Sequence, residues 1–173
     1  MTQIRTHVSV RTAGLTLVIG GLLMITLLRH VSYNATPSAP VGWYWYTPLP
    51  TDAPLATGQL VRMTPPDRVR QALHRVAPQL DVHRPWMKTI VAVAGETVCL
   101  DDEHVRINGA WRAPRPLLQA YALPSLHGCI VLTPGTYFVM NAHPRSFDSR
   151  YIGAIPRSLI HGTLTPLWTW EDQ

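Results

Sequence analysis

The chain has 173 residues, which fits one domain of ordinary size with enough length to bury a hydrophobic core. Charged residues make up 14% of the chain and prolines number 16, which favours a turn-rich β domain over long exposed helices or a charged disordered tail. The net charge of +5 comes from arginines scattered along the chain without a basic run, so we expect no nucleic-acid partner.

An uncharged apolar segment lies near the N-terminus. Residues 13–28 read AGLTLVIGGLLMITLL, and we predict a transmembrane anchor over residues 12–31 that follows a cytoplasmic tail of residues 1–11. Because more positive charge lies before the segment than after it, we expect the domain of residues 32–173 to lie outside the cytoplasm. A signal peptide cleaved near residues 33–35 is the alternative, and it leaves the domain in the same compartment.

Short strand patterns fill most of the remaining chain, and one helix pattern interrupts them. Thr64, Pro65 and Asp67 predict the start of a short amphipathic helix that ends near Pro78. The pair Asn108-Gly109 predicts a hairpin, and residues 30–36, 113–128 and 141–156 are predicted links or loops. The predicted strands are residues 43–46, 60–63, 87–93, 97–100, 104–107, 130–132, 136–140 and 164–170. The predicted fold class is mainly β.

The chain contains two cysteines, Cys99 and Cys129. An even number of cysteines in an oxidising compartment predicts a disulfide, and two buried free thiols are the alternative. A metal site on Cys129 and His127 lacks a second pair of ligands at usable spacing. We therefore expect no metal.

Lys88 is the only lysine in the chain, beside 14 arginines, and it lies within the predicted strand 87–93. A neutral lysine amine can act as a general base, whereas a guanidinium stays protonated. Burial next to Met87 and Ile90 is expected to lower the lysine pKa. The alternative is an amine that reaches water at the end of a strand. The uniqueness of Lys88 favours a base, because arginine would serve equally well where only positive charge is needed.

Two further stretches carry hydroxyl and charged side chains. Ser38 lies in a proline-flanked turn ten residues after the apolar segment, and on its own it is most simply a solvated loop serine. Asp148 and Arg150 are most simply an ion pair that holds a loop. Ser146 offers that loop a hydroxyl, which can orient a lysine base without restoring its charge. Serine activated by lysine is a known pairing of nucleophile and base.

Three blocks of residues, in this order, resemble the type I signal peptidase superfamily, peptidase family S26, and within it the TraF-type peptidases of conjugative transfer. The resemblance implies a signal-peptidase-like antiparallel β domain at the membrane surface, with the aromatic residues 43–46 as interfacial anchors; core packing is the alternative for these aromatics. The blocks are Asn34-x-Thr36-x-Ser38-x-Pro40-x-Gly42-x-Tyr44, Lys88-x-x-x-Ala92-Val93-x-Gly95-Glu96-x-Val98 and Ser146-Phe-Asp148-Ser-Arg150-Tyr-x-Gly153-x-Ile-Pro156.

The resemblance also implies a role for each matching residue. Ser38 is expected to be the nucleophile and Lys88 the general base. The Thr36 hydroxyl and the backbone N–H of Ser38 are expected to stabilise the oxyanion. The expected supporting residues are Ser146, which orients the lysine, and the pair Asp148 and Arg150.

The function implied by the resemblance is that of a serine endopeptidase that needs no cofactor. Its expected substrate is an exported precursor, a conjugative pilin that is cleaved or cyclised during plasmid transfer by a type IV secretion system. The expected location is the bacterial inner membrane, with the catalytic domain on the periplasmic side. The alternatives are a general signal peptidase I and a non-catalytic envelope scaffold of a secretion apparatus. Ala39 and residues 140–143 depart from the general signal peptidases, which favours the TraF-like branch. The oligomeric state is not predicted.

Overall fold

The computed structural model of the protein describes residues 10–76, 83–116, 126–144 and 146–170. Helix α1 (Val10–Leu28) covers most of the segment predicted as a transmembrane anchor. Among the described residues, however, none of the helices has the length and apolarity that a membrane crossing requires, so the predicted transmembrane helix is not found. Most of the predicted cytoplasmic tail, the predicted helix end at Pro78 and residues 117–125 of the predicted loop lie outside the described residues.

Within the described residues, the strands form two antiparallel sheets. The larger sheet has seven strands in the order β1-β2-β11-β3-β4-β9-β10, and the smaller sheet has four in the order β7-β6-β5-β8. The strands of the larger sheet are β1 Val31–Asn34, β2 Val41–Pro48, β3 Leu60–Met63, β4 Trp86–Ala92, β9 Thr136–Met140, β10 Ile155–Pro156 and β11 Ile160–Trp170. Those of the smaller sheet are β5 Thr97–Leu100, β6 His104–Ile107, β7 Ala110–Pro114 and β8 Gly128–Val131. The prediction of a mainly β, antiparallel domain is confirmed.

Several predicted element boundaries were wrong, and three of these differences change the elements around the site. Strand β1 lies in the predicted link 30–36, because Val31–Asn34 pairs with β2 and so gains partners that no local pattern indicates. A short helix, α3 (Ser149–Ile152), lies in the predicted loop 141–156, where the Asp148 carboxylate caps it by accepting from the backbone N–H of Arg150. The amphipathic helix α2 spans Asp67–Val76 and so begins after Pro65 and Pro66.

Strand β9 separates two hydrophobic cores. Tyr137 and Val139 face the first core, between the larger sheet and helix α2, whereas Phe138 and Met140 face the second core, which the smaller sheet covers. This alternation follows from the period of two along a strand. Strand β4 also contributes to both cores, but not by alternation of consecutive residues. Its pairing with β9 is irregular between Ile90 and Ala92. Ile90 consequently packs in the first core and Ala92 in the second.

The two cysteines form a disulfide between neighbouring strands of the smaller sheet. Cys99 on β5 lies directly opposite Cys129 on β8 in the antiparallel register. The disulfide therefore fastens the edge strand β8 to the rest of the sheet.

Candidate active site

Lys88 occupies an interior position of the larger sheet. Strand β4 lies between β3 and β9, and Lys88 is only 5% exposed. Its Nζ lies 5.6 Å from the centre of the Trp86 ring, on the same face of the strand. Burial lowers the pKa of Lys88 to about 8; the negative charge of Asp148 opposes this shift and the positive charge of Arg150 adds to it.

Ser146 is the hydrogen-bond partner of the buried amine. Lys88 Nζ donates to Ser146 Oγ over 2.9 Å, and the Ser146 side chain is 1% exposed. The Ser146 hydroxyl also hydrogen-bonds to the Asp148 carboxylate. Since a carboxylate only accepts, the Ser146 proton points to Asp148 and its oxygen remains free to accept from Lys88. This arrangement orients the amine without placing a negative charge in contact with it.

Asp148 and Arg150 form a fully buried ion pair beside Lys88. Arg150 Nε lies 3.1 Å from Asp148 Oδ1, and both side chains are completely buried. Burial raises the pKa of the Asp148 carboxyl, while the charges of Arg150 and Lys88 oppose that rise. The two charges of the pair balance each other, so a neutral Lys88 leaves the buried cluster without net charge. A protonated Lys88 adds a further charge to the buried cluster, and the loss of hydration around that charge depresses its pKa.

The same cluster shapes the loop that carries it. Arg150 Nη1 donates to the carbonyl oxygens of His143 at 3.3 Å and Pro144 at 3.0 Å, and Nη2 donates to that of Asn141. Asp148 Oδ2 accepts from the backbone N–H of Asn141 at 3.2 Å. The Asn141 side chain in turn bridges β4 on both sides of Lys88, by accepting from Thr89 N and donating to the Met87 carbonyl. These hydrogen bonds fix the position of the loop relative to the strand that carries Lys88.

Ser38 lies in a separate hydrogen-bonded turn that follows β1. Its side chain is partly exposed, and its Oγ lies 3.2 Å from Thr36 Oγ1. Thr36 Oγ1 also lies 2.9 Å from Asn34 Oδ1. The Asn34 side chain is buried beneath the turn. Sequence reasoning assigned no role to Asn34 or Asn141; the position of Asn34 in the first motif block was the one signal for it.

The structure brings four of the predicted site residues into one cluster, namely Lys88, Ser146, Asp148 and Arg150. Ser38 and Thr36 belong to the neighbouring turn, and within the described part of the chain no hydrogen bond joins Ser38 Oγ to Lys88 Nζ. A hydrogen bond relates the two parts: Arg84, on the segment that enters β4, donates to the Tyr33 carbonyl of β1 at 3.1 Å. The end of β1 therefore lies beside the start of the strand that carries the lysine.

Comparison with known proteins places the chain in a family. The family profile described as signal peptidase, peptidase S26 matches residues 3–169. The chain belongs to the S26 signal peptidase family. The resemblance predicted from the three sequence blocks is thereby confirmed. All the predicted site residues lie within the matched range.

Two relatives of the chain carry names from conjugative transfer. The conjugal transfer protein TraF of Agrobacterium tumefaciens (strain 15955) is 32% identical over 151 residues, which cover 80% of this chain and 82% of the relative. The plasmid transfer protein TraF of Escherichia coli is 30% identical over 156 residues, covering 83% and 85% respectively. A solved signal peptidase I from Enterococcus faecalis V583 is 22% identical, with a TM-score of 0.38, and covers 65% of this chain and 98% of that one.

Proposed function

We propose that the protein is a membrane-associated serine endopeptidase in which Ser38 is the nucleophile and Lys88 the general base. One observation carries the proposal: Lys88 is buried in a sheet, and its amine donates to the Ser146 hydroxyl over 2.9 Å. The neighbouring charges of Asp148 and Arg150 neutralise each other. The pKa of Lys88, lowered to about 8, makes a useful fraction of neutral amine available near neutral pH.

The proposed reaction is acyl transfer. Ser38 Oγ bonds to the carbonyl carbon of the scissile peptide while its proton passes to the neutral amine of Lys88. The Lys88 ammonium returns that proton to the leaving amine as the C–N bond breaks, and an ester remains on Ser38. Attack by water releases a linear product, and attack by an amine of the substrate itself releases a cyclic one. Ser146 accepts from the Lys88 amine and so keeps it oriented.

We propose a conjugative pilin precursor as the substrate, processed during plasmid transfer by a type IV secretion system. The names of the two relatives support this choice, because both are transfer proteins. The proposed enzyme acts on the exported precursor outside the cytoplasm, where the disulfide between Cys99 and Cys129 is stable.

The proposed location is the periplasmic side of the bacterial inner membrane. The described apolar side chains of α1 are exposed, for example Leu17 at 77%. Strand β1, which follows this helix in the chain, and its neighbours β2 and β11 expose apolar and aromatic side chains, namely Tyr33, Trp43, Leu167, Trp168 and Trp170. Aromatic side chains of this kind are enriched at the boundary between lipid and water. Fractionation of cells that express the chain tests the location, and recovery in the soluble cytoplasmic fraction would contradict it.

Processing in cells tests the proposed chemistry. The chain is co-expressed with a candidate pilin precursor, and the product is weighed by mass spectrometry. We expect the precursor to be shortened by the native chain and to stay intact with Ser38→Ala or Lys88→Arg. The arginine variant keeps the positive charge and loses the base. A product one water lighter than the linear mature peptide identifies cyclisation. Processing that survives either substitution excludes the proposed pair of Ser38 and Lys88.

The pH dependence provides a second measurement on the same enzyme. Because the neutral form of Lys88 is the base, kcat/KM should rise about tenfold per pH unit below its pKa of about 8 and level off above it. A profile that is flat between pH 6 and pH 9, roughly one to two units on either side of that pKa, would rule out a lysine base.

A further inference from the structure

The side chain of Asn34 has no role in the mechanism proposed above, yet it makes five hydrogen bonds within the turn that carries Ser38. It lies at the end of β1 and is 7% exposed. Its Nδ2 shares two N–H groups among three carbonyl oxygens of the turn, those of Thr36 at 2.9 Å, Ala39 at 2.9 Å and Pro40 at 3.1 Å. These acceptors precede and follow Ser38, so one amide group closes the turn from beneath.

The orientation of the Asn34 amide follows from its partners. Nitrogen must face the three carbonyl oxygens, because only the NH₂ group can donate to them. The oxygen on the other side accepts from the backbone N–H of Thr36 at 3.1 Å, a group that can only donate. Both ends of the amide are therefore assigned by groups whose own roles are unambiguous.

This assignment determines the direction of the two hydroxyl protons. Asn34 Oδ1 only accepts, so the Thr36 hydroxyl must donate its single proton to it across 2.9 Å. In the 3.2 Å contact between Thr36 Oγ1 and Ser38 Oγ, Thr36 then has no proton left to give. Ser38 must be the donor, so in the free protein its O–H points to Thr36 Oγ1.

We propose that Asn34 is a positioning residue for the nucleophile turn: its nitrogen holds the turn closed beneath Ser38, and its oxygen directs the Thr36 hydroxyl to accept the Ser38 proton. This inference rests on the proposed function of Ser38 as nucleophile. Attack on a substrate then requires the Ser38 hydroxyl to turn from Thr36 towards Lys88. Thr36 can donate to an oxyanion only after its hydrogen bond to Asn34 breaks. Asn34 therefore controls both the rotation of the Ser38 hydroxyl and the donation from Thr36.

The inference is distinct from the role that the family resemblance implies for Thr36. There, the Thr36 hydroxyl is an oxyanion donor. In the free protein it is instead an acceptor for the nucleophile, because the carboxamide of Asn34 already takes its proton. Asn34 and Thr36 thus act as one unit, and their substitutions should not have independent effects on the rate.

A double-mutant cycle on the purified full-length protein tests the proposal. The variants are Asn34→Ala, Thr36→Val and the two combined, assayed for kcat and KM on a synthetic peptide that spans the cleavage site of the pilin precursor. We expect Asn34→Ala to lower kcat by roughly 100-fold, the size typical of losing one aligned hydrogen-bonding group in an active site, with a smaller change in KM. Thr36→Val should cost much less in the Asn34→Ala background than in the native one.

Asn108→Ala is the matched control. The Asn108 amide also holds a turn, by accepting from Thr97 N at 2.9 Å and donating to Glu96 Oε1 at 3.0 Å, but that turn belongs to the smaller sheet. We expect Asn108→Ala to leave kcat within about twofold of the native value, as is usual for a substitution remote from the reacting groups. If Asn34→Ala does not fold by circular dichroism, Asn34→Asp takes its place. It keeps the shape and the acceptor oxygen, and it replaces the amide donors by a second, negatively charged acceptor oxygen.

The outcomes separate the inference from the proposed function. Full activity of Asn34→Ala overturns the role of Asn34, and so do equal effects of Thr36→Val in both backgrounds. In either case, an inactive Ser38→Ala variant leaves the proposed function standing. Activity of Ser38→Ala on the same peptide overturns the proposed function, and with it the premise of the inference. A loss of kcat in Asn34→Ala together with non-additive coupling to Thr36 supports both.

Discussion

Lys88 shows how the site controls the charge of a single residue. The buried amine has a carboxylate nearby that favours its protonation, but Arg150 already neutralises that carboxylate. Ser146 stands between the amine and Asp148 and offers only a neutral oxygen to Lys88. Desolvation therefore dominates, and the lysine remains easier to deprotonate than one in water.

At the residue scale, we predict that Lys88→Met stabilises the protein at neutral pH. The pKa of Lys88 is lowered from 10.5 to about 8 in the folded protein. Below pH 8, keeping this lysine protonated in the folded state therefore costs about 3 kcal/mol of unfolding free energy. Loss of the hydrogen bond to Ser146 offsets about 1 kcal/mol of this, so the unfolding free energy should rise by about 2 kcal/mol. Methionine has a similar length and fills the same space.

The pH dependence of that stability difference identifies its cause. The unfolded lysine binds a proton between pH 8 and 10.5, where the folded one does not, so the native chain gains stability as the pH rises through this window. The advantage of Lys88→Met should be full below pH 8 and disappear as the pH approaches 10.5. Urea unfolding of both proteins at several pH values measures it. A methionine variant that is less stable than the native chain at pH 7, below the pKa of about 8, would contradict the prediction.

At the element scale, the pairing of β2 with β1 and β11 explains two residues of the first motif block. Gly42 has a φ of +152°, and a Cβ at this position would lie 2.2 Å from the Trp168 carbonyl oxygen of β11. Two residues later, the buried Tyr44 hydroxyl donates to the Pro40 carbonyl at 2.6 Å. Gly42 therefore allows the close approach of β11, and Tyr44 fastens the turn of Ser38 to the strand.

We predict that Gly42→Ala destabilises the protein by about 3 kcal/mol, because the new methyl group meets backbone atoms that cannot move aside and the φ value is strained for alanine. Thermal unfolding followed by circular dichroism measures the change. Gly58→Ala is the matched control: its φ of +87° is also unfavourable for alanine, but no atom of the described residues lies within 4 Å of a Cβ there. Equal losses in the two variants would show that backbone strain alone, and not the approach of β11, determines the effect.

At the scale of the whole molecule, the smaller sheet is tied to the site by a buried arginine. Arg115, which follows β7, donates from Nε to the Arg150 carbonyl at 2.9 Å and from Nη1 to the Leu126 carbonyl at 3.0 Å. Its side chain is 3% exposed. The second core adds Phe138 and Met140 of β9 to this connection. The smaller sheet thus supports the loop of Asp148 and Arg150 from behind.

The disulfide lies in the same sheet but on the edge strand β8, and we predict that it contributes stability and not activity. Its loop of 30 residues predicts a loss of about 3.5 kcal/mol of unfolding free energy in Cys99→Ser/Cys129→Ser. Urea unfolding with and without a reductant measures this, and the reduced native chain should match the double variant. Peptidase activity at 25 °C should stay within about twofold, since in the part of the chain that the structure describes neither Ser38 nor Lys88 contacts the disulfide. A folded double variant without activity would contradict this prediction.

Local patterns predicted the regular strands well. Residues 60–63, 97–100, 104–107 and 136–140 are strands with the predicted bounds, because apolar alternation and turn residues on both sides define them locally. Strand β1 and helix α3 were missed for the opposite reason. The first exists through its pairing with β2, and the second through a cap from Asp148 and burial of all four of its residues.

The sequence by itself determined the antiparallel β class and the family, since the motif blocks and the uniqueness of Lys88 are properties of the chain read in order. It also named Ser146, Asp148 and Arg150 as partners. Only the tertiary structure decided how the charges and protons are arranged: the ion pair that neutralises Asp148, the serine between it and Lys88, and the amide of Asn34 that directs the hydroxyls of the turn. The physical reason is that burial and hydrogen-bond direction depend on carbonyls and carboxylates that distant segments bring together on folding.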